Sequence, residues 1–255
     1  MNSAFFKRKV QSILTDNKYD RWVGGYRSGK INLRKLPKVA TGSNRVFQRR
    51  VERKGKFYSV VIVVDISGSM QGYKMDLAAK SAAELYKALD SNDVEVAVIA
   101  FNSVVEMVKD WDWNFKPEVV EQHLSNLMYI QPNQPVDFRV VRDSNQVLAR
   151  FGDRPMHPPG ENFDYIAIQD ASTMLNERKG RKIMLVYSDG QPTGDTSGLL
   201  RKEVRRVIDE GIITLGFGIH DSAVTSYYPY TDVIQDVQEI YPKTISLLSK
   251  HILRG

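Results

Sequence analysis

Three oxygen-bearing side chains occupy alternate positions of one short segment: Asp65, Ser67 and Ser69, within Val-Asp-Ile-Ser-Gly-Ser-Met at residues 64–70. The segment follows a run of β-branched residues and precedes a helical pattern, so we expect Gly68 to allow a tight turn that aims all three side chains at one point. Carboxylate and hydroxyl oxygens suit a hard cation such as Mg²⁺ or Mn²⁺. The alternative is a polar loop in which a serine caps the next helix.

A second apolar run also ends in an aspartate. Residues 183–188 read Ile-Met-Leu-Val-Tyr-Ser, and Asp189 follows directly, ahead of Gly190. If the two strands are parallel neighbours, Asp65 and Asp189 meet at one edge of the sheet, where two acids repel each other unless a cation is bound. A turn that begins with Asp-Gly is the alternative. Both features together favour a metal site.

The elements that must position these residues alternate between strands and helices. Strands are predicted at 58–64, 94–101, 104–108, 182–188, 212–218 and 232–235. Helices are predicted at 74–89, 117–127, 165–176, 199–210 and 241–253. This alternation predicts an α/β fold with a doubly wound, mostly parallel sheet flanked by helices, and it places ligands at the carboxyl ends of the strands. Periodicity fails near 128–160, where we expect an irregular insertion with a helix around 144–151.

Charge divides the chain into two parts. Residues 1–57 carry 16 Lys or Arg against three acids, while the whole chain has a net charge of +6, so residues 58–255 are acidic overall. We therefore expect a basic N-terminal extension over 1–57 that docks on or flanks an α/β domain over 58–255. Its apolar residues indicate packing on a core; they are Ile31, Leu33, Leu36, Val39, Val46 and Phe47. Binding of nucleic acid through this basic arm is the alternative.

Composition argues against several classes of protein. No stretch of the sequence approaches the roughly 18 apolar residues of a membrane helix, and the basic start has no signal-peptide core behind it. The sequence contains no cysteine. We therefore expect a cytoplasmic protein that does not associate with membranes and that holds any metal through oxygen atoms or its few histidines.

The motifs described above resemble those of a known family. Asp65-Ile-Ser67-Gly-Ser69 and Ser188-Asp189-Gly190 are similar to the metal-ion-dependent adhesion site of von Willebrand factor A domains. The resemblance implies a third loop ahead of the helix at 165–176, in which Asn162 or Asp164 stands in place of the family's threonine. Either of the two could supply the third-loop ligand. The resulting ligand set is Asp65, Ser67, Ser69, Asn162, Asp164 and Asp189.

Further segments resemble one subgroup of that family. The Glu-Asn-x-Asp sequence at 161–164, together with 29–36 and 216–220, looks like the C-terminal von Willebrand A domain of the T-type subunit of cobalt chelatase. The resemblance implies a divalent-metal-dependent adaptor that binds an acidic protein and pairs with a MoxR-type AAA+ ATPase in a chelatase-like or remodelling complex. It also implies a non-catalytic subunit rather than an enzyme.

The alternatives are nucleic-acid binding through the basic arm and a metal-dependent phosphoryl-transfer or hydrolytic enzyme. No phosphate loop of the Gly-x-x-x-x-Gly-Lys-Ser/Thr type is present, which disfavours the enzyme.

Overall fold

The structure is a computed structural model that describes residues 3–14, 21–51, 58–90, 94–102, 105–129, 163–190, 192 and 196–252. The chain forms two compact units. The larger unit combines residues 1–14 with 57–255, and the smaller unit spans 15–56. Three predictions fall wholly or almost wholly outside the described residues: the ligand Asn162, the helix at 144–151 and the insertion near 128–160.

Six α-helices and nine strands occur in the described part of the chain. The helices are α1 Ser3–Leu14, α2 Tyr73–Leu89, α3 Pro117–Tyr129, α4 Asp164–Asn176, α5 Ser197–Asp209 and α6 Ile240–Ile252. The strands are β1 Arg21–Tyr26, β2 Lys30–Ile31, β3 Phe47–Val51, β4 Tyr58–Asp65, β5 Val94–Phe101, β6 Val105–Lys109, β7 Arg181–Ser188, β8 Ile213–Ile219 and β9 Thr231–Ile234. Short 3-10 helices cover Leu33–Val39, Gly68–Met70, Ala223–Ser226 and Val237–Glu239.

A six-stranded sheet in the order β6-β5-β4-β7-β8-β9 lies at the centre of the larger unit. β4 pairs in parallel with β5 and with β7, so that Val64 lies between Ala100 and Tyr187, whereas β6 runs antiparallel at one edge. All eight residues of β4 are buried, as expected for a β-branched strand covered on both faces. The predicted doubly wound, mostly parallel sheet is confirmed, and its strands and helices end within one or two residues of the predicted positions.

Two apolar layers cover the two faces of this sheet. Val60, Ile62 and Val64 pack into the layer that contains α1, α2, α3 and α6, while Val61 and Val63 pack into the layer that contains α4 and α5. This division follows from the alternation of side chains along a strand. The chain moves from β4 to β5 on one side and returns to β7 on the other, so the carboxyl ends of β4 and β7 form the switch point where ligands bind in such sheets.

Helix α1 is an element that the sequence patterns did not predict. Its Phe6, Val10 and Ile13 are buried, and the Phe6 ring stacks on Tyr241 of α6 with 4.2 Å between the ring centroids. The first helix therefore contributes to the core of the larger unit. No helix among the described residues is long and apolar enough to cross a membrane.

The smaller unit has a three-stranded antiparallel sheet in the order β1-β3-β2 and the 3-10 helix Leu33–Val39. Val46 is the one buried residue among residues 22–49. Ile31, Leu33, Leu36 and Val39 are exposed, so the small unit does not bury them in a core of its own. Docking of this segment on the α/β domain stays a prediction. The physical reason is size, since one small sheet and one short helix cannot cover each other's apolar surface.

Candidate metal centre

Asp65 ends β4, and the loop behind it is fixed by short hydrogen bonds. Ile66 N donates to Phe101 O at the end of β5, at 2.8 Å. Ser67 N donates to Asp65 Oδ1 at 2.8 Å, and the hydroxyl oxygens of Ser67 and Ser69 lie 3.0 Å apart. The loop therefore brings one carboxylate and two hydroxyls together at the carboxyl end of the central strand.

The turn in this loop does not depend on a glycine. Gly68 does not adopt a positive φ, and a Cβ placed there would meet no atom within 4 Å. The expected tight turn is present, but it does not rely on the conformational freedom of a glycine at residue 68. The loop turns instead through the 3-10 helix Gly68–Met70, whose buried Met70 anchors it.

Ser188, the last residue of β7, connects the two strand ends. Its hydroxyl donates to Asp65 Oδ2 at 2.7 Å and accepts a hydrogen bond from Gly190 N at 2.9 Å. Burial raises the pKa of Asp65 to about 6, although hydrogen bonds from Ser67 and Ser188 lower it, and the nearby charge of Asp189 raises it further. The hydroxyl of Ser188 thus stabilises the ionised Asp65 in a site that otherwise disfavours its charge.

Asp164 is the first residue of α4, and its side chain is 1% exposed. The preceding loop is tied to the end of β5 because Phe163 N donates to Asn102 O at 3.2 Å. Neither carboxylate oxygen of Asp164 has a hydrogen-bond partner among the described residues. Burial and then the charges of Asp65 and Asp189 raise its pKa well above the usual value. Among the described residues, Asp164 is therefore a buried acid with no hydrogen-bonded partner that would offset a negative charge on it.

Asp189 directly follows β7 and is also buried. Its Oδ2 lies 3.4 Å from Nζ of Lys74, in the first turn of α2, while its Oδ1 has no hydrogen-bond partner among the described residues. The ammonium group of Lys74 supplies positive charge at this edge of the sheet. Lys74 pairs with Asp189, and among the described residues no hydrogen bond joins it to the carboxylate of Asp164.

Gly190 makes the turn behind Asp189. It adopts φ of +75°, and a Cβ at this position would lie 2.2 Å from Val224 N. The 3-10 helix Ala223–Ser226 therefore packs its backbone directly on this turn. A side chain larger than hydrogen cannot occupy residue 190 unless that helix moves.

A buried tyrosine lies under the cluster. Tyr228 is 2% exposed, its ring packs against Gly216 of β8, and its hydroxyl has no hydrogen-bond partner among the described residues. Burial and then the negative charges of Asp164 and Asp65 raise its pKa well above the usual value. The hydroxyl of Tyr228 is thus electrostatically coupled to two of the acids, a relationship that its position in the sequence does not indicate.

The structure brings Asp65, Ser67, Ser69, Asp164 and Asp189 to one edge of the sheet, and Asn162 lies outside the described residues. Within the described part of the chain, no three Asp, Glu or His side chains are arranged to hold a metal by themselves. A bound cation would therefore need the serine hydroxyls as well as the carboxylates. Hydroxyl and carboxylate oxygens form a donor set suited to a hard divalent ion.

The family model for the cobalamin biosynthesis protein CobT VWA domain matches residues 46–254, roughly four-fifths of the chain. The chain belongs to the CobT VWA family. This membership confirms the resemblance to von Willebrand A domains and to the cobalt chelatase subgroup. The match begins within the smaller unit, so most of that unit precedes the matched residues.

Solved structures with the same fold come from distant proteins. Proximal thread matrix protein 1 from the mussel byssus, with a zinc-occupied MIDAS motif, has 10% identity and a TM-score of 0.52, covering 77% of this chain and 46% of that one. The pilus adhesin SpaC of Lactobacillus rhamnosus GG has 14% identity and a TM-score of 0.53, covering 79% and 30%. Manganese-loaded TRAP of Plasmodium vivax has 11% identity and a TM-score of 0.53, covering 76% and 74%.

Because the sequence identities are only 10–14%, these three likenesses establish the fold and nothing further. The chain spans less than half of the mussel protein and less than a third of the pilus adhesin. The likeness therefore covers only part of those two proteins.

Proposed function

We propose that this chain is a metal-dependent protein-binding adaptor whose site lies at the carboxyl ends of β4 and β7. The observation that carries the proposal is the carboxylate of Asp164, which is buried beside Asp65 and Asp189 with both oxygens unpartnered among the described residues. Burying three ionised acids close together raises the free energy of the folded state, above all for Asp164, which has no hydrogen-bonded partner among the described residues. A bound cation would offset this cost. A divalent ion supplies that compensation.

The proposed ligands come from the three loops around this site. Asp65, Ser67 and Ser69 belong to the first loop, Asn162 or Asp164 to the loop before α4, and Asp189 to the loop after β7. Mg²⁺ or Mn²⁺ is the proposed ion because all of these donors are oxygen atoms and both ions favour such donors. The zinc in the mussel protein and the manganese in the Plasmodium protein support a divalent cation in this fold.

The bound cation would act as a bridge to the partner. A divalent ion held by a few protein oxygens accepts a further oxygen ligand, and a carboxylate from an acidic protein is the ligand we propose. Asp65 and Tyr228 are buried, so these residues would exclude water from the protein side of a bound ion. Association would then depend on the metal.

The proposed partner is a MoxR-type AAA+ ATPase in a cytoplasmic chelatase-like or remodelling complex. Support comes from membership of the CobT VWA family, which covers residues 46–254. In this proposal the chain binds as the adaptor, and the partner ATPase hydrolyses ATP. The residues before 58 would form the basic extension of this module.

Titration calorimetry tests the metal site. Mn²⁺ and Mg²⁺ are titrated into the unaltered protein, into an Asp164→Ala variant and into an Asp209→Ala variant, which removes an exposed acid from α5. We expect saturable binding by the unaltered protein and by Asp209→Ala, and a loss of at least about tenfold in affinity in Asp164→Ala. Equal binding by all three proteins would show that the third-loop acid holds no ion.

The partner is tested separately. A purified candidate AAA+ ATPase is passed over the immobilised chain in Mn²⁺ and then in EDTA, with Ser69→Ala as the altered chain. We expect association in Mn²⁺ that EDTA abolishes and Ser69→Ala weakens. Association that persists in EDTA would contradict a metal bridge.

A further inference from the structure

The smaller unit combines strong positive charge with exposed apolar side chains. Residues 21–51 contain nine Lys or Arg and no acid. In the same segment Trp22, Ile31 and Val39 are about half exposed, and Leu33 is 75% exposed. Apolar patches of this kind, surrounded by charged residues, mark interaction sites.

A cavity of about 440 Å³ lies in the middle of this surface. Apolar side chains form the larger part of its lining, namely Ile31, Leu36, Val39, Val46 and Phe47. Arg27, its one charged residue, and the segment 42–44 (Gly-Ser-Asn) complete the lining. We call this cavity and its exposed basic neighbours Lys38 and Arg45 the basic groove. The cavity is large enough to admit a bulky apolar side chain such as leucine or phenylalanine, and its mostly apolar lining favours one.

Other cations of the unit are already in contact with aromatic rings. Lys30 Nζ lies 5.2 Å from the centroid of the Trp22 ring, and the guanidinium of Arg49 lies 5.2 Å from that of Tyr26. Arg49 Nε also donates to Ser28 O at 3.0 Å. These contacts order two cations and two rings around the small sheet, so that the basic surface has a defined shape.

We propose that the basic groove binds an acidic protein segment that carries an apolar anchor residue. Charge complementarity requires an acidic ligand, because the segment has no acid of its own to neutralise nine cations. The cavity favours a protein segment over a nucleic acid, because four of its five apolar lining residues are aliphatic. Nucleic-acid bases stack on aromatic rings, and the sugar-phosphate backbone has no apolar group to fill a cavity lined by Leu36 and Val39. This binding is independent of the metal and goes beyond the proposed function.

Fluorescence anisotropy of the full chain in EDTA tests the proposal. The probe is a fluorescein-labelled peptide of Asp and Glu residues with two leucines one helical turn apart, and its matched control has serine in place of both leucines. We expect the leucine peptide to bind at least about tenfold more tightly than the serine peptide, since burial of one leucine is worth that much or more. Both affinities should fall with added salt, while their ratio persists.

Variants locate the binding. The double variant Leu36→Ser/Val39→Ser should bind the two peptides equally, because it removes the apolar lining and keeps the charge. Arg27→Gln/Lys38→Gln, which alters exposed side chains, should weaken both peptides and preserve their ratio. Leu199→Ser removes an exposed leucine from α5 in the larger unit and should change nothing.

Two results would overturn the proposal. Equal affinity of the unaltered chain for the leucine and serine peptides would show that the cavity takes no anchor residue. Tighter binding of a single-stranded oligothymidine of the same charge, unaffected by Leu36→Ser/Val39→Ser, would assign the surface to nucleic acid. Neither result concerns the metal site, because EDTA is present throughout.

Discussion

Nζ of Lys74 lies 3.4 Å from Oδ2 of Asp189, so an ammonium group on the first turn of α2 faces a carboxylate at the end of β7. Asp189 is buried, whereas the Lys74 side chain is 30% exposed. The lysine thus enters the edge of the site from the solvent side. A divalent cation held by the same aspartate would meet like charge from this lysine.

Replacing Lys74 by glutamine should strengthen Mn²⁺ binding about tenfold, which corresponds to about 1.4 kcal/mol, because a competing positive charge is removed. The same change should lower the melting temperature of the protein in EDTA, where the acids lose their nearest cation. Calorimetry and thermal unfolding measure the two effects. Lys87→Gln, which alters an exposed lysine on the same helix, is the control and should leave both unchanged. If Lys74→Gln binds Mn²⁺ no more tightly, the pair has a structural role alone.

The stability of the metal-free protein should depend on pH through Asp65 and Asp164. Both acids have a pKa that is raised in the folded state, to about 6 for Asp65. The folded state therefore holds its protons more tightly than the unfolded state does, and stability should fall as pH rises from about 4 to about 6, by an amount on the order of 1–3 kcal/mol. Urea unfolding in EDTA across this range measures the slope. The slope should be smaller in Asp164→Asn.

The pH range follows from the sign of the shift. The contribution of Asp65 is present below its unfolded pKa near 4 and is lost as pH rises through about 6. Metal affinity should show the opposite trend, because protons compete with the cation below about pH 6. A free energy of unfolding in EDTA that instead increases from pH 4 to 6 would contradict the conclusion that burial raises the pKa of Asp65 and Asp164.

The strands and two of the acids could be predicted because their physics is local. β4 and β7 are continuous apolar runs, and each is followed by one aspartate, so a parallel sheet places Asp65 and Asp189 together without further information. For these two acids, the end of a strand fixes where the side chain lies. Asp164 is different, because only the resemblance to von Willebrand A domains indicates a third loop with Asn162 or Asp164 as its ligand.

Other contacts depend on how separate elements pack, which a sequence pattern does not record. Lys74 reaches Asp189 because of the position of α2 over the sheet, and Tyr228 lies under the acids because Gly216 leaves room for its ring. Phe6, Val10 and Ile13 have the spacing of one helix face, which is a signal for α1, but the positive charge around them is also typical of an extended basic arm. The exposure of Leu36 could not be predicted, because the apolar character of a residue does not indicate whether other elements pack against it.

Ser188→Ala should destabilise the protein by roughly 1–3 kcal/mol. The change leaves the buried Asp65 Oδ2 without its hydroxyl donor and removes the acceptor of Gly190 N. Urea unfolding at pH 7 in EDTA measures the loss. Thr173→Ala, which removes an exposed hydroxyl that bonds within α4, is the matched control and should cost less than about 0.5 kcal/mol. Equal costs in the two variants would mean that Ser188 does not support the buried acid.

Gly190→Ala and Gly211→Ala form a pair that separates backbone strain from packing. Both glycines have a positive φ, at +75° and +83°, so each alanine carries strain of roughly 1 kcal/mol. A Cβ at residue 211 meets nothing within 4 Å, whereas one at residue 190 would lie 2.2 Å from Val224 N. Gly190→Ala should therefore cost at least roughly 2 kcal/mol more than Gly211→Ala in urea unfolding, because the 3-10 helix at Ala223–Ser226 must move.

The displacement of this turn in Gly190→Ala should also alter the proposed metal site. Gly190 N donates to the Ser188 hydroxyl, which in turn donates to Asp65, so a shift of the turn disturbs the bonds that hold this carboxylate. Mn²⁺ affinity should fall in Gly190→Ala and stay unchanged in Gly211→Ala. If the two variants unfold at the same urea concentration and bind Mn²⁺ equally, the close packing of Val224 on this turn does not position the site.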